Sequence, residues 1–258
     1  MNDIGNWITE TMGTRVWRII RIMVESFPKL LKPCLQITIS LTLLSFFFGL
    51  ILALILALVQ VANIKGLKQF ARFYVWIFRG TPLMLQLFII FYGLPSFGIY
   101  FNGYVAAVIA FSLNLAAYNS EIIRSAIQSV PIGQSEAGYM IGLNYFQVMT
   151  RIVLPQAARV AFPPLFSSLI GLTKDTSLAS SITVIEMMSV AKRVAAVYYE
   201  PFWMYMEAGF IYLMICTILT KLQSFMEKQL EWKQPAETKV EMGAMKQENI
   251  KEDRSPRW

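Results

Sequence analysis

The chain alternates long apolar runs with short polar connections. Residues 33–64 contain no charged side chain. At about 1.5 Å per helical residue, that run exceeds a hydrocarbon core of about 30 Å. A second charge-free run, 80–120, is too long for one span and is broken at Gly93-Leu94-Pro95. Both runs are apolar all round rather than striped, which excludes the amphipathic helices of a soluble helical core. Apolar length, with Gly and Pro clusters read as turns, predicts five spans at about 35–62, 73–94, 105–123, 158–175 and 202–222. The expected fold is an all-α membrane protein.

The ends differ from the middle. Residues 1–32 carry Arg15, Arg18, Arg21, Lys29 and Lys32, with the arginines set among Val16, Trp17, Ile19, Ile20 and Ile22. That pattern fits an amphipathic helix on the membrane surface or a solvated lead-in helix. It has no short apolar core before a small-residue cleavage site, so a signal peptide is not expected. Residues 33–232 form the expected transmembrane domain. Residues 233–258 interleave Lys, Arg, Glu and Asp with little apolar content and are expected to be a disordered cytoplasmic tail.

Composition agrees with the pattern. Hydrophobic residues make up 56% of the chain and charged residues 15%, against about 25% charged in soluble domains. The cations Lys65, Lys68, Arg72, Arg124, Arg151 and Arg159 flank connections that the positive-inside rule assigns to the cytoplasm. Five spans then leave the C-terminus inside and the N-terminus outside, in conflict with the basic N-terminal segment unless a further re-entrant or spanning element intervenes. The net charge of +7 is read as this topological bias, not as a nucleic-acid surface. Cys34 and Cys216 lie at or within apolar spans, where thiols pack as small hydrophobes. The chain has no histidine, which removes the commonest general base and metal ligand. It has no GxxxxGK[ST] phosphate loop. Enzyme chemistry is therefore not expected.

Several ordered motifs carry a resemblance. Phe78-Arg79-Gly80-Thr81-Pro82-Leu83 runs on to Tyr92-Gly93-Leu94-Pro95. Ser112-Leu113-Asn114 is followed by Ala117-Tyr118 and by Glu121 to Arg124. The segment EAGYMIGLNYFQVMTRIVLP, residues 136–155, sets Glu136-Ala137-Gly138 before Gly142 and closes on Leu154-Pro155. Lys174-Asp175-Thr176-Ser177-Leu178 comes last. Together, over about residues 30–232, these resemble the permease subunits of polar amino-acid ABC importers, and within them the L-cystine permeases. The resemblance implies the type I importer permease architecture and a multi-pass place in the bacterial inner membrane. The segment 125–156 would be a cytoplasmic coupling loop that docks on a separate ATPase through Glu136, Ala137, Gly138, Gly142, Leu154 and Pro155. It further implies an extracellular solute-binding protein, a second permease copy or homologous permease, and an amino acid as substrate. This chain would carry no cofactor of its own, ATP and Mg belonging to the partner ATPase.

Polar groups inside spans are costly and mark candidate pathways. Asn114, Tyr118 and Glu121 share one face of the third span, at offsets of four and three. Gln86 lies mid-span in the second. Lys174 and Asp175 end or interrupt the fourth, and Glu186 follows. A zwitterionic substrate needs an anion for its ammonium, from Asp175 or Glu186. Its carboxylate needs a cation or backbone donors, from Lys174 or a broken helix end. Packing roles remain open for each. A secondary transporter or channel that needs no ATP is the alternative function.

Overall fold

The computed structural model describes residues 2–62 and 64–230, with side chains over 13–229 within those limits. The tail over 233–258 lies outside the described residues. All regular elements among the described residues are helical. Helices α1 (Asn2–Pro33) and α2 (Ile39–Val61) are joined end to end by a π turn, Cys34–Thr38. Pro33 has no N–H to give to the helical ladder, and the wider turn after it lets the helix continue. The part over Gly13–Val61 is 49 residues, about 70 Å long, so α1 extends well beyond what a bilayer core covers.

The second expected span is two helices. α3 (Leu67–Gly80) ends at the Thr81-Pro82 pair, and α4 (Leu83–Phe88) leaves at a bend of 104°. A π turn (Ile89–Gly93) and a 3₁₀ turn (Leu94–Phe97) carry α4 to the loop before α5 (Gly103–Gln128). Two short helices follow, α6 (Ile132–Met140) and α7 (Tyr145–Val148). After another π turn (Met149–Val153) comes α8 (Leu154–Asp175), then a 3₁₀ segment (Thr176–Ile182), α9 (Met187–Tyr198) and α10 (Pro201–Leu230). By length and apolarity three helices qualify as spans, or four with the bent α3–α4 pair. The remaining expected span is α8, whose Arg159, Lys174, Asp175 and two internal prolines dilute its apolar content.

The central contact is α2 against α5. Small residues allow it, as close helix approach in membranes requires. Gly49, Ala53 and Ala57 of α2 are buried at one-turn intervals, and α5 answers with Ala106, Ala107, Ala110, Ala116 and Ala117. A Cβ at Gly49 would come within 2.8 Å of Leu115 Cδ2. At the start of α5, a Cβ on Gly103 would lie 2.3 Å from the Ile182 carbonyl oxygen, which ties that helix directly to the turn after α8.

The basic N-terminal segment finds its counter-charge within the fold. Arg15 and Arg18 each approach Glu200, between α9 and α10, at 3.9 Å. Arg18 also donates to the Tyr198 carbonyl at 3.4 Å. Deeper, Ser26 donates to Glu207 of α10 at 2.5 Å, and Leu30 and Cys34 pack with Met187, Ala191, Ala208 and Ile211. Both Cys34 and Cys216 are free. No re-entrant element separates this segment from the first span: the helix is continuous, and α1 is packed against α9 and α10 instead of lying apart.

Candidate functional site

The bend between α3 and α4 builds the site. Thr81 is extended at φ −121° and ψ 145°, as the residue before a proline must be. The break would leave the last carbonyls of α3 without partners inside the fold. Gln86 meets them. Its Nε2 donates to Phe78 O at 2.9 Å, Thr81 O at 3.1 Å and Thr81 Oγ1 at 2.8 Å, three acceptors sharing two hydrogens. Asn114, from α5, locks the clasp by donating from Nδ2 to Gln86 Oε1 at 3.0 Å and to Phe78 O at 3.4 Å. Gln86 is therefore a brace for the bend and not a free pathway group. Asn114 spends its amide hydrogens there and keeps its carbonyl oxygen.

Behind the clasp lies a cavity of about 500 Å³ between the bend, α5 and α8, within the range of small-molecule sites. Asn114, Tyr118, Asn119, Ser168 and Asp175 supply polar groups to its wall, beside apolar neighbours such as Phe111 and Leu172. A second cavity of about 630 Å³ shares Tyr118, Ile122 and Pro164 with the first and is lined also by Arg79, Glu121, Ser125 and Ser129. Tyr118 thus stands between the two. The Arg79 guanidinium lies 5.4 Å from its ring centroid, a cation–π contact that helps hold the ring in place.

The face expected on α5 is present, in two parts. Asn114 and Tyr118 belong to the first cavity, Tyr118 and Glu121 to the second. Glu121 is engaged with Arg124 at 2.7 Å, and the two also border a small polar recess with Gln60, Lys68, Arg72 and Gln128. Asp175 lines the first cavity and Lys174 does not, though both side chains are exposed. Among the described lining residues Asp175 is the sole charge.

Glu186 does not line either cavity. Fully buried, it caps α9: Oε1 accepts from Ser189 N and Oε2 from Met188 N, both at 2.8 Å, and Tyr212 donates its hydroxyl to Oε2 at 3.3 Å. Glu186→Gln would turn an amide N–H toward one of those donors. The expected result is a stability loss of about 1–3 kcal/mol, seen as a lower unfolding temperature, with the substrate response of the folded protein unchanged. An altered substrate response at unchanged stability would return Glu186 to the pathway.

Sequence reasoning missed Asn119. It followed the stripe from Asn114 through Tyr118 to Glu121, and Asn119, one position past Tyr118, was left on the packed side. Its signal was its polarity inside a charge-free run.

The loop over 125–156 is compact. α6 packs its buried Gly138 against the turn that leads into α8, where a Cβ would meet Ile152 Cδ1 at 2.8 Å and Val148 Cγ2 at 3.0 Å. The chain then reverses at Gly142, with φ +84° and open space around it. Gly142 is therefore required for its left-handed backbone, and no neighbouring backbone crowds it. Asn144 and Gln147 form a reciprocal capping box on α7. Glu136 and Ala137 are exposed on α6. Glu136 does not cap that helix, because Pro131 occupies the cap position. Leu154 is half-buried, and Pro155 is exposed in the first turn of α8, where a missing N–H costs nothing. Between these anchors the loop presents Met140, Ile141 and Phe146, which are 88, 76 and 73% exposed. These three make the loop's exposed apolar group, the candidate for an interaction surface.

Comparison with known proteins bears on the family and the fold. Residues 47–232 match the family model described as the binding-protein-dependent transport system inner membrane component. The chain is 46% identical over 230 residues to the L-cystine transport system permease protein TcyB of Bacillus subtilis (strain 168), covering 88% of this chain and 97% of that one. It is 37% identical over 213 residues to the nopaline transport system permease protein NocM of Agrobacterium fabrum (strain C58 / ATCC 33970), covering 79% and 88%. Among solved structures, an amino acid ABC transporter with histidines aligns with a TM-score of 0.76 at 32% identity, covering 80% of this chain and 96% of that one.

Proposed function

Because the chain belongs to the binding-protein-dependent transport system inner membrane components, we propose that it forms the membrane pathway of an ABC importer for a polar amino acid, with L-cystine as the substrate. The observation that carries the reading is the cavity between the α3–α4 bend, α5 and α8, whose one charged lining residue among those described is Asp175. An acid on an otherwise neutral polar and apolar wall suits the ammonium of an amino acid. The 46% identity to an L-cystine permease supports the choice of side chain.

The two cavities suggest the route. A separate solute-binding protein delivers the amino acid to the cavity with Asp175. The substrate then passes Tyr118 into the cavity with Glu121 when the subunits rearrange. ATP and Mg act on a partner ATPase, not on this chain. The loop with Met140, Ile141 and Phe146 transmits that rearrangement as a rigid knob, braced by Gly138 against Val148 and Ile152. A second permease, identical or homologous, completes the pathway across from this one.

Uptake tests the substrate. Co-expressed with its ATPase and binding protein in cells lacking other cystine uptake, the chain should import labelled L-cystine, and excess L-arginine or L-glutamine should compete poorly. Import of labelled arginine or glutamine that excess cystine leaves untouched would contradict the assignment.

A further inference from the structure

Thr38, Ser45, Gln60, Asn119 and Glu207 each bury a side-chain nitrogen or oxygen with no hydrogen-bond partner among the described residues. Asn119 is the one of these that lines the cavity with Asp175. It is fully buried, and both its Oδ1 and its Nδ2 are unpaired. Buried amides are almost always bonded, because desolvating one without compensation is costly. Of the five, Asn119 alone leaves both polar atoms of its side chain unpaired, and it alone borders that cavity.

Resting on the amino-acid reading above, we propose that Asn119 binds the α-carboxylate of the substrate through its amide N–H groups, while Asp175 takes the ammonium. The cavity's chemistry assigns the two poles. Among the described lining residues there is no cation for a carboxylate, and Asp175 would repel one. The Asn114 amide nitrogen is already committed to Gln86 and Phe78, and the Thr81 hydroxyl donates to Ile77 O at 2.9 Å. Tyr118 and Ser168 bring hydroxyls that can donate or accept. Asn119 brings two N–H donors that nothing else uses. An amide, unlike a lysine, accepts a carboxylate without clamping it, which suits a site that must release its cargo.

The test uses the purified permease–ATPase complex without its binding protein, so that affinity reports on the cavity alone. L-cystine, L-arginine and L-glutamine are titrated while thermal unfolding is followed, and the amino acid with the largest wild-type shift is the probe. Asn119→Ala removes an unpaired amide, so the unliganded variant should unfold at or above the wild-type temperature. Its affinity for the probe should fall by about tenfold or more, as expected for a lost hydrogen bond to a charged group. Asn119→Asp sets a like charge against the carboxylate and should weaken binding further than Ala does. An Asn119→Ala complex that unfolds well below wild type yet binds with wild-type affinity would make the amide structural and overturn the proposal. So would Asp and Ala variants of equal affinity. A wild-type complex that responds to none of the three amino acids would contradict the substrate reading and this inference with it.

Discussion

Glutamate at both Ile141 and Phe146 is expected to strip the ATPase from the complex and reduce uptake to background. Both side chains are more than two-thirds exposed, so the permease loses almost no internal packing, and surface changes of this kind usually stay within about 0.5 kcal/mol. In a docked interface the same two charges would be desolvated without partners. Such a charge costs about 2–5 kcal/mol, and each 1.4 kcal/mol is about tenfold in affinity, so the complex should fall apart during purification. The readout is the amount of ATPase retained by tagged permease, with membrane insertion as the control. Gly142→Val tests the same loop by another route. It forces a β-branched residue into a left-handed conformation, at about 1–2 kcal/mol, and shifts the knob without altering its surface chemistry. Full ATPase retention and normal uptake by the Ile141→Glu, Phe146→Glu variant would place the docking surface elsewhere.

Asp175→Asn is expected to abolish stimulation of ATP hydrolysis by substrate while leaving the complex intact. Asp175 is the charge on the cavity wall, among the described residues, that can meet an ammonium. Loss of a charge-assisted hydrogen bond costs about 1.5–3 kcal/mol, which weakens binding from about tenfold to more than a hundredfold. Basal hydrolysis and ATPase retention should not change, because the proposed docking surface is on α6 and α7 and Asp175 lies at the far end of α8. The measurement is a dose–response of hydrolysis to the amino acid. An unchanged curve would remove Asp175 from the site and leave the cavity without its ammonium partner.

The contrast between Asp175 and Gln86 shows what the sequence can reveal. Spans were legible because charge is sparse in them, and that needs no knowledge of neighbours; α8, with Arg159, Lys174 and Asp175, is the weakest of them. Asp175 was marked as a candidate because an acid at the end of an apolar run is costly there, with an ion pair to Lys174 as the packing alternative. Gln86 was read as a pathway candidate for the same reason. The hydrogen bonds it makes depend on the Phe78 and Thr81 carbonyls, which come within reach only once the chain has turned 104°. Thr81-Pro82 is a local signal for a break in the helix. The size of the turn follows from how α4 is braced, and that is tertiary. Glu186 fell to the same limit: α9 is a short helix bearing Lys192 and Arg193, so its segment read as a connection, and its cap read as a loose acid.

The coupling loop divides in the same way. Gly142 sits at a reversal with φ +84°, a conformation open to glycine for reasons local to the residue. Gly138 was carried by family resemblance alone. Its reason is the contact with Val148 and Ile152, residues that approach only after α6 folds back. The basic N-terminal segment is not isolated in the fold: Arg15 and Arg18 each lie 3.9 Å from Glu200.

The central claim is that this chain is the membrane half of an ATP-driven importer. The most direct measurement is amino-acid accumulation in proteoliposomes that hold the permease with its co-purified ATPase and receive loaded binding protein. The account expects accumulation with Mg-ATP on the ATPase side and none with a non-hydrolysable analogue, whatever ion gradient is imposed. Accumulation driven by an ion gradient without ATP, from permease that leaves its native membrane unaccompanied, would contradict it.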